Sequence, residues 1–160
     1  ASPAAEWLKA KCDRAGRVLV NPDLSLPGHD DVFVIGDTAH LTDRNGVAVP
    51  GLAPAAEQQG RYVARLIAGR LQNKPAPEPF AYKDYGIMAT IGRGKAVGKI
   101  GAWTFTGRFA WSLWGLIHLM PLVGFRNRMM VAGDWFWAYF TKARSVRLIT
   151  VKKNNGAELK

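Results

Sequence analysis

An α/β fold, reduced to α+β over the 160 residues of this chain, is predicted by three features of the sequence. The β-branched apolar run Asp31–Ile35 stops at Gly36-Asp37, as a parallel strand buried on both faces would. From Pro54 to about Leu71 the apolar period becomes helical, with Ala56, Gly60, Val63 and Ile67 spaced four, three and four apart. Beyond Trp103 the composition shifts to a long aromatic, basic stretch that reads as amphipathic helix.

Taken in order, Pro3–Lys11 reads as a short helix, Asp13-Arg14-Ala15-Gly16 as a turn and Arg17–Val20 as a short strand broken by Asn21-Pro22-Asp23. Leu24–Asp30, with Pro27-Gly28, is expected to be loop before the Asp31–Ile35 strand. Another loop, with Gly46, Pro50 and Gly51, leads to the 54–71 helix, whose Pro54 suits a first turn. Asn73–Pro79 holds three prolines and reads as a stiff linker. Phe80–Ile91 has the pattern of a hairpin or strand pair, and Gly92–Gly101 is glycine-rich. No internal repeat stands out. The expected divisions are residues 1–72, 73–101 and 102–160.

Composition removes several classes of function. The lone Cys12 can build neither a disulfide framework nor a redox dithiol. The net charge of +10 is confined to one end: residues 1–92 carry ten Lys/Arg and ten Asp/Glu, whereas residues 93–160 carry twelve Lys/Arg against Asp134 and Glu158. Five of the six Trp lie in that same basic end, so the chain divides functionally into a neutral and a basic-aromatic region. His118 has no second histidine at ligand spacing, and no metal is assigned. The opening Ala-Ser-Pro, without an initiator Met or an apolar leader, suggests an internal start with an upstream portion missing.

A strand ending in Gly-Asp suits a cofactor site. Gly36 permits close backbone approach, Asp37 can accept from a ribityl or ribose hydroxyl, and the following helix can point its N-terminal N–H groups at the ligand. Arg14-Ala15-Gly16-Arg17-Val18, Asp23-Leu24-Ser25, Pro27-Gly28-His29 and Val32–Ala39 resemble, in order and spacing, the second flavin motif of the two-dinucleotide-binding flavoproteins. Ala53-Pro54-Ala55-Ala56-Glu57-Gln58-Gln59-Gly60-Arg61-Tyr62 resembles the helix start of the type II NADH:quinone oxidoreductases. Tyr85–Arg93 and Val123–Arg128 resemble two further stretches of those enzymes.

The resemblance implies that residues 1–72 are the C-terminal portion of a Rossmann-like FAD-binding domain and that this chain is a C-terminal fragment. It implies Gly36, Asp37, Ala55 and Ala56 at FAD, with Asp37 holding the ribityl chain. It places Gln58 at the quinone face as the catalytic-site glutamine, with Gln59 beside it, and Ala89, Thr90 and Ile91 on the border of the quinone pocket. Pro54 departs from the pattern, standing where many relatives carry a glutamine. NADH would be bound mainly upstream, leaving the fragment alone inactive. The implied location is peripheral, on the cytoplasmic face of the bacterial inner membrane; a homodimer is left open.

The cluster Gly92-Arg93-Gly94-Lys95-Ala96-Val97-Gly98 imitates a dinucleotide fingerprint. Such a fingerprint needs a helix opening at the glycines and an acid about twenty residues on, and no acid lies between Asp84 and Asp134, so a tight backbone turn is the preferred reading. Phe109–Phe125 is seventeen residues without formal charge, roughly 25 Å as a helix, at the short edge of a bilayer span. An in-plane anchor fits better: Trp111, Trp114, Trp135 and Trp137 for the interface, with Arg126, Arg128, Lys142, Arg144 and Arg147 for an anionic leaflet. Two readings compete with FAD-dependent electron transfer from NADH to a membrane quinone. One is a sulfide:quinone type of flavin enzyme. The other is a non-catalytic basic module for membrane or nucleic acid, though no nucleic-acid partner is assigned.

Overall fold

The computed structural model describes residues 3–141 and divides after Tyr85 into two units. The first contains α1 (Ala4–Trp7), β1 (Val18–Leu19), β2 (Ser25–Leu26), β3 (His29–Phe33), a 3-10 turn (Gly36–Thr38), β4 (Ala39–His40) and α2 (Ala53–Leu71). The second contains β5 (Ile87–Gly92), β6 (Lys95–Ile100), β7 (Trp103–Thr106), α3 (Gly107–Leu119) and α4 (Phe125–Thr141).

Turn chemistry shapes the first unit. Asp13–Arg17 and Asp43–Val47 adopt the same five-residue turn. In each, the aspartate carboxylate accepts N–H bonds from the residues two and four places on, and a glycine, Gly16 or Gly46, takes the left-handed conformation. Asn21–Ser25 closes the same way, with Leu24 at φ 69° in the glycine's place. That turn, followed by Pro27-Gly28, folds the expected 24–30 loop into an antiparallel hairpin in which Ser25 faces Phe33 and Leu26 faces His29. The Asp31–Ile35 run is therefore not a parallel strand buried on both faces. β3 pairs with β2 alone among the described residues, and its outer residues are exposed. The parallel pair is instead β1 with β4, Val18 beside Ala39.

α2 closes over this framework. Its buried stripe is Ala55, Gln59, Tyr62, Val63 and Leu66, about one position from the expected 56/60/63/67 register; Ile67 is 42% exposed. Leu24, Leu41, Val49, Tyr62, Leu66 and Phe80 form the larger core, and Val18, Leu26, Val34 and Ala39 a smaller one. Each fully buried aliphatic side chain contributes about 1.5–3 kcal/mol. The proline segment ends on Phe80, which stands edge-on to Tyr62 at 5.7 Å and is pinned by its N–H to the Pro22 carbonyl.

In the second unit β5, β6 and β7 form an antiparallel meander with β6 central. The strand pair thus runs 87–100 rather than 80–91, and Trp103–Thr106, expected to be helical, is its third strand. Gly92–Lys95 is the hairpin turn and no helix opens there, so the glycines make a tight turn with Gly94 at φ 64°. Gly98 leaves room for the Phe105 ring, which a Cβ there would meet at 2.5 Å. The uncharged 109–125 stretch is not one helix: α3 ends at Leu119, and α4 starts at Phe125 after a break through Pro121 and Gly124. No helix among the described residues is long and apolar enough to cross a membrane.

Candidate functional site

The chain leaves buried Val34, passes through extended Ile35 and turns at Gly36, whose φ of 68° favours glycine. Two contacts fix the turn against α2. The Gly36 N–H donates to Gln59 Oε1 at 2.6 Å, and a Cβ on Gly36 would touch the Ala56 methyl at 3.4 Å. Asp37 follows, exposed, with no hydrogen bond or ion pair to another described residue; a Cβ on Gly51 would lie 3.3 Å from its Oδ1. α2 begins just beyond, with Leu52 at its N-cap and no side chain capping the end. Ala55 and Ala56 give their N–H groups to the Leu52 carbonyl and Pro54 has none, which leaves the Ala53 N–H and the positive dipole end for a ligand or solvent. A free carboxylate acceptor joined to an uncapped helix start, on backbone bared by two glycines, fits a polyhydroxyl ligand carrying negative charge.

The residues expected at this site part company. Ala56 packs on Gly36, whereas Ala55 turns its methyl into the core and gives its N–H to the Leu52 carbonyl, so Ala55 shapes the helix start without facing a ligand. Gln59 is 2% exposed and Gln58 half-buried. The Gln58 amide closes a two-bond ring on Lys83, Nε2 donating to its carbonyl and Oε1 accepting its N–H, both at 2.9 Å. Gln58 also borders an open 420 Å³ hollow lined by Arg44, Arg61, Arg65, Tyr62 and Phe80.

Sequence reasoning missed Asp43. Its buried carboxylate accepts backbone N–H bonds from Asn45, Val47 and Tyr82, tying the 80–83 segment to its own turn. Burial opposes its ionisation, but those three N–H groups prevail and hold the carboxyl below its ordinary value near 3.8. Asp13 is likewise lowered, first by the Arg17 N–H and then, against burial, by the Arg17 guanidinium. The signal was available in the repeated Asp-Arg-x-Gly of residues 13–16 and 43–46.

In the second unit Ala89, Thr90 and Ile91 are exposed on β5. They do not form one surface, because the register slips between Thr90 and Gly92. Ala89 lines a 300 Å³ apolar hollow with Met88, Val97 and Phe105, and Ile91 a separate hollow with Arg93, Lys95 and Arg108. Arg93 donates to the Tyr139 and Ala138 carbonyls, fastening the hairpin turn to the last turn of α4.

The six residues expected at a membrane also divide. Trp111 packs on Tyr139 at 5.1 Å, and Trp114 stacks between His118 and Trp135, so these two tryptophans zip α3 to α4. Arg128 Nε donates to the Leu122 carbonyl across the helix break. Arg126, Trp135 and Trp137 remain exposed. With them, and unforeseen, Phe125, Met129, Phe136 and Phe140 make an exposed apolar stripe at spacings of four, seven and four, a single face of α4. Lys142, Arg144 and Arg147 lie outside the described residues. His118 is a packed histidine whose Nδ1 donates to the Trp114 carbonyl at 2.7 Å.

The chain is 42% identical over 148 residues to type II NADH:quinone oxidoreductase Ndh of Mycobacterium tuberculosis, matching 91% of this chain and 31% of that protein. It is homologous to part of the type II NADH:quinone oxidoreductases. A second protein of that organism, type II NADH:quinone oxidoreductase NdhA, is 41% identical over 86% of the chain. The mitochondrial internal alternative NAD(P)H-ubiquinone oxidoreductase A1 of Arabidopsis thaliana is 33% identical over 79% of it. The chain spans about a third of the length of these relatives, 28–31%. No protein-family model matches it. A structure of NDH2 from Plasmodium falciparum in complex with NADH shares the fold, with a TM-score of 0.66, 13% identity, and coverage of 84% of this chain and 41% of that one.

Proposed function

We propose that this chain supplies one half of the FAD site and the acceptor-side region of an enzyme passing electrons from NADH to a membrane quinone. The observation that carries the reading is the Gly36-Asp37 turn fixed on the uncapped start of α2, in a chain 42% identical to a type II NADH:quinone oxidoreductase. Residues 1–72 belong to a Rossmann-like flavin domain, residues 73–101 border the quinone, and residues 102–160 dock the enzyme. Asp37 would accept from the ribityl hydroxyls, and Gly36 and Ala56 would shape the backbone turn that presents it. Bound FAD supplies the hydride and electron chemistry; the protein orients it.

Gln58 stands at the quinone side, where its ring with Lys83 fixes the 80–85 segment; Ala89, Thr90 and Ile91 border the acceptor's path. The α3–α4 hairpin lies in the plane of an anionic membrane. Contiguous exposed apolar residues mark interaction or membrane surfaces, and the cations of residues 93–128 are opposed by no acid before Asp134 in the sequence. The location proposed is the cytoplasmic face of a bacterial inner membrane. A homodimer is compatible with this placement.

The test uses the native-length gene product. It should purify with FAD and oxidise NADH with a ubiquinone or menaquinone analogue as acceptor. Gln58→Leu should lower quinone reduction at least about tenfold more than ferricyanide reduction, the effect of losing about 1.4 kcal/mol of interaction specific to the quinone side. Equal losses on both acceptors would remove Gln58 from the quinone side.

A further inference from the structure

Gln59 is among the most deeply buried polar side chains of the described residues, and its carbonyl is already committed. Its Oε1 accepts from the Gly36 N–H at 2.6 Å while the residue is 2% exposed, leaving no face for a quinone to reach. Gly36 is one peptide before Asp37 and sits at φ 68°. A glycine reaches several backbone wells at similar energy, so nothing intrinsic to Gly36 selects that one. Ala56 blocks one side of the turn and Gly51 lets the Asp37 carboxylate settle on the other, but both contacts are steric. The Ala39 N–H holds the Gly36 carbonyl within the turn, and the Gln59 bond is the polar contact of the Gly36 N–H that ties the turn to α2.

We propose that Gln59 is the positioning residue for Asp37: its amide carbonyl holds the Gly36 N–H and thereby aims the carboxylate at FAD, and it is not a quinone ligand. This rests on the flavin reading of the site. Without the acceptor, a part-buried N–H loses its partner, the 35–36 peptide rotates to find another, and the carboxylate swings with it.

The experiment compares the native-length holoenzyme with Gln59→Met (near-isosteric, no acceptor), Gln59→Asn (same amide, one methylene short), Gln59→Glu (acceptor at full reach) and Asp37→Ala. The readouts are FAD affinity by titration of the apoprotein, the visible absorption and circular dichroism of bound flavin, and KM for quinone. Gln59→Met and Gln59→Asn should weaken FAD about tenfold to a hundredfold and shift the flavin spectrum, as Asp37→Ala does, while Gln59→Glu stays within about threefold of wild type. If Gln59→Met does not fold, the Asn and Glu variants decide: Glu no better than Asn overturns the proposal. Normal FAD binding in the Gln59 variants beside weak binding in Asp37→Ala overturns it and leaves the flavin reading standing. Normal binding in all, Asp37→Ala included, overturns both. A raised quinone KM with unchanged FAD affinity and spectrum in Gln59→Asn also overturns it, assigning Gln59 to the acceptor.

Discussion

The two units are built on opposite principles. Of the fourteen buried hydrophobic residues among those described, twelve lie before Tyr85, and only Ala96 and Ala110 lie after it. The first unit hides its aliphatics and holds its loops with buried polar groups, Asp43, Ser25 and Gln59, each given a defined partner. The second turns phenylalanine, methionine and tryptophan outward and keeps its interior for glycine and alanine, so that backbone approaches backbone or ring. A unit of the first kind is stabilised by what it buries by itself. The second presents an apolar surface that gains its main stabilisation only when something else covers it.

That contrast breaks first at the glycines. A Cβ on Gly86 would stand 2.4 Å from the Lys99 carbonyl oxygen, at φ 95°; the Ile100 side chain at 2.8 Å can shift, but the backbone oxygen cannot. Gly86→Ala should cost about 4 kcal/mol or more, the largest single effect expected here. Amide exchange should accelerate in β5 and β6 and stay near wild type around Leu66. Equal acceleration in α2 would show that the two units are not separate in stability. In the first unit the comparable blow is a cavity: Leu66→Ala should lower stability by about 2–5 kcal/mol in a thermal melt.

Residue pattern disclosed some of this and concealed the rest for identifiable reasons. The 54–71 helix, its first-turn proline and the tight 92–95 turn were legible because period and glycine placement are local. The direction of the Asp31–Ile35 run was not: an apolar strand reads alike in parallel and antiparallel pairs, and the Asn21–Ser25 and Pro27-Gly28 turns decide it. Gly36 and Asp37 could be singled out as a candidate site through their chemistry. Their dependence on Gln59 was not legible, because two adjacent glutamines differ only in helical phase, and a stripe read one position off puts the wrong one inward. Trp111 and Trp114 misled similarly, since an interfacial tryptophan and one stacking between helices look the same in sequence.

A smaller effect sharpens the polar side of the comparison. Asp43→Asn keeps the shape but loses the charge that three N–H groups stabilise, and should cost about 1–3 kcal/mol near pH 7. The sign with pH is fixed by the lowered pKa. The carboxylate's contribution is fully present above the ordinary value near 3.8 and disappears as pH falls through the lower folded value. Acid melts carried down from pH 6 through the lowered folded value should therefore draw wild type and Asp43→Asn together as the carboxylate protonates; a gap that stays constant throughout would show that lost geometry, not lost charge, is responsible.

The smallest effect on folding is expected where the residues are largest. Phe136 and Phe140 lie on the outer stripe of α4, touching each other at 4.6 Å between ring centres, with Phe140 edge-on to Tyr139 at 5.3 Å, and both remain mostly exposed. Replacing both with serine removes little that the folded chain buries, so the melting midpoint should move by no more than about 0.5 kcal/mol permits. The same substitution removes two rings whose transfer out of water is worth about 1.5–3 kcal/mol each if that face is the one covered by lipid. Flotation with vesicles of anionic phospholipid should then fall at least tenfold while the fold is unchanged. A variant that floats as well as wild type would move the covered surface off α4, to the exposed Trp103 and Phe109 side of the unit. A variant that melts early would instead show that this stripe is interior to an assembly, and the outward-facing half of the comparison would belong to a protein interface.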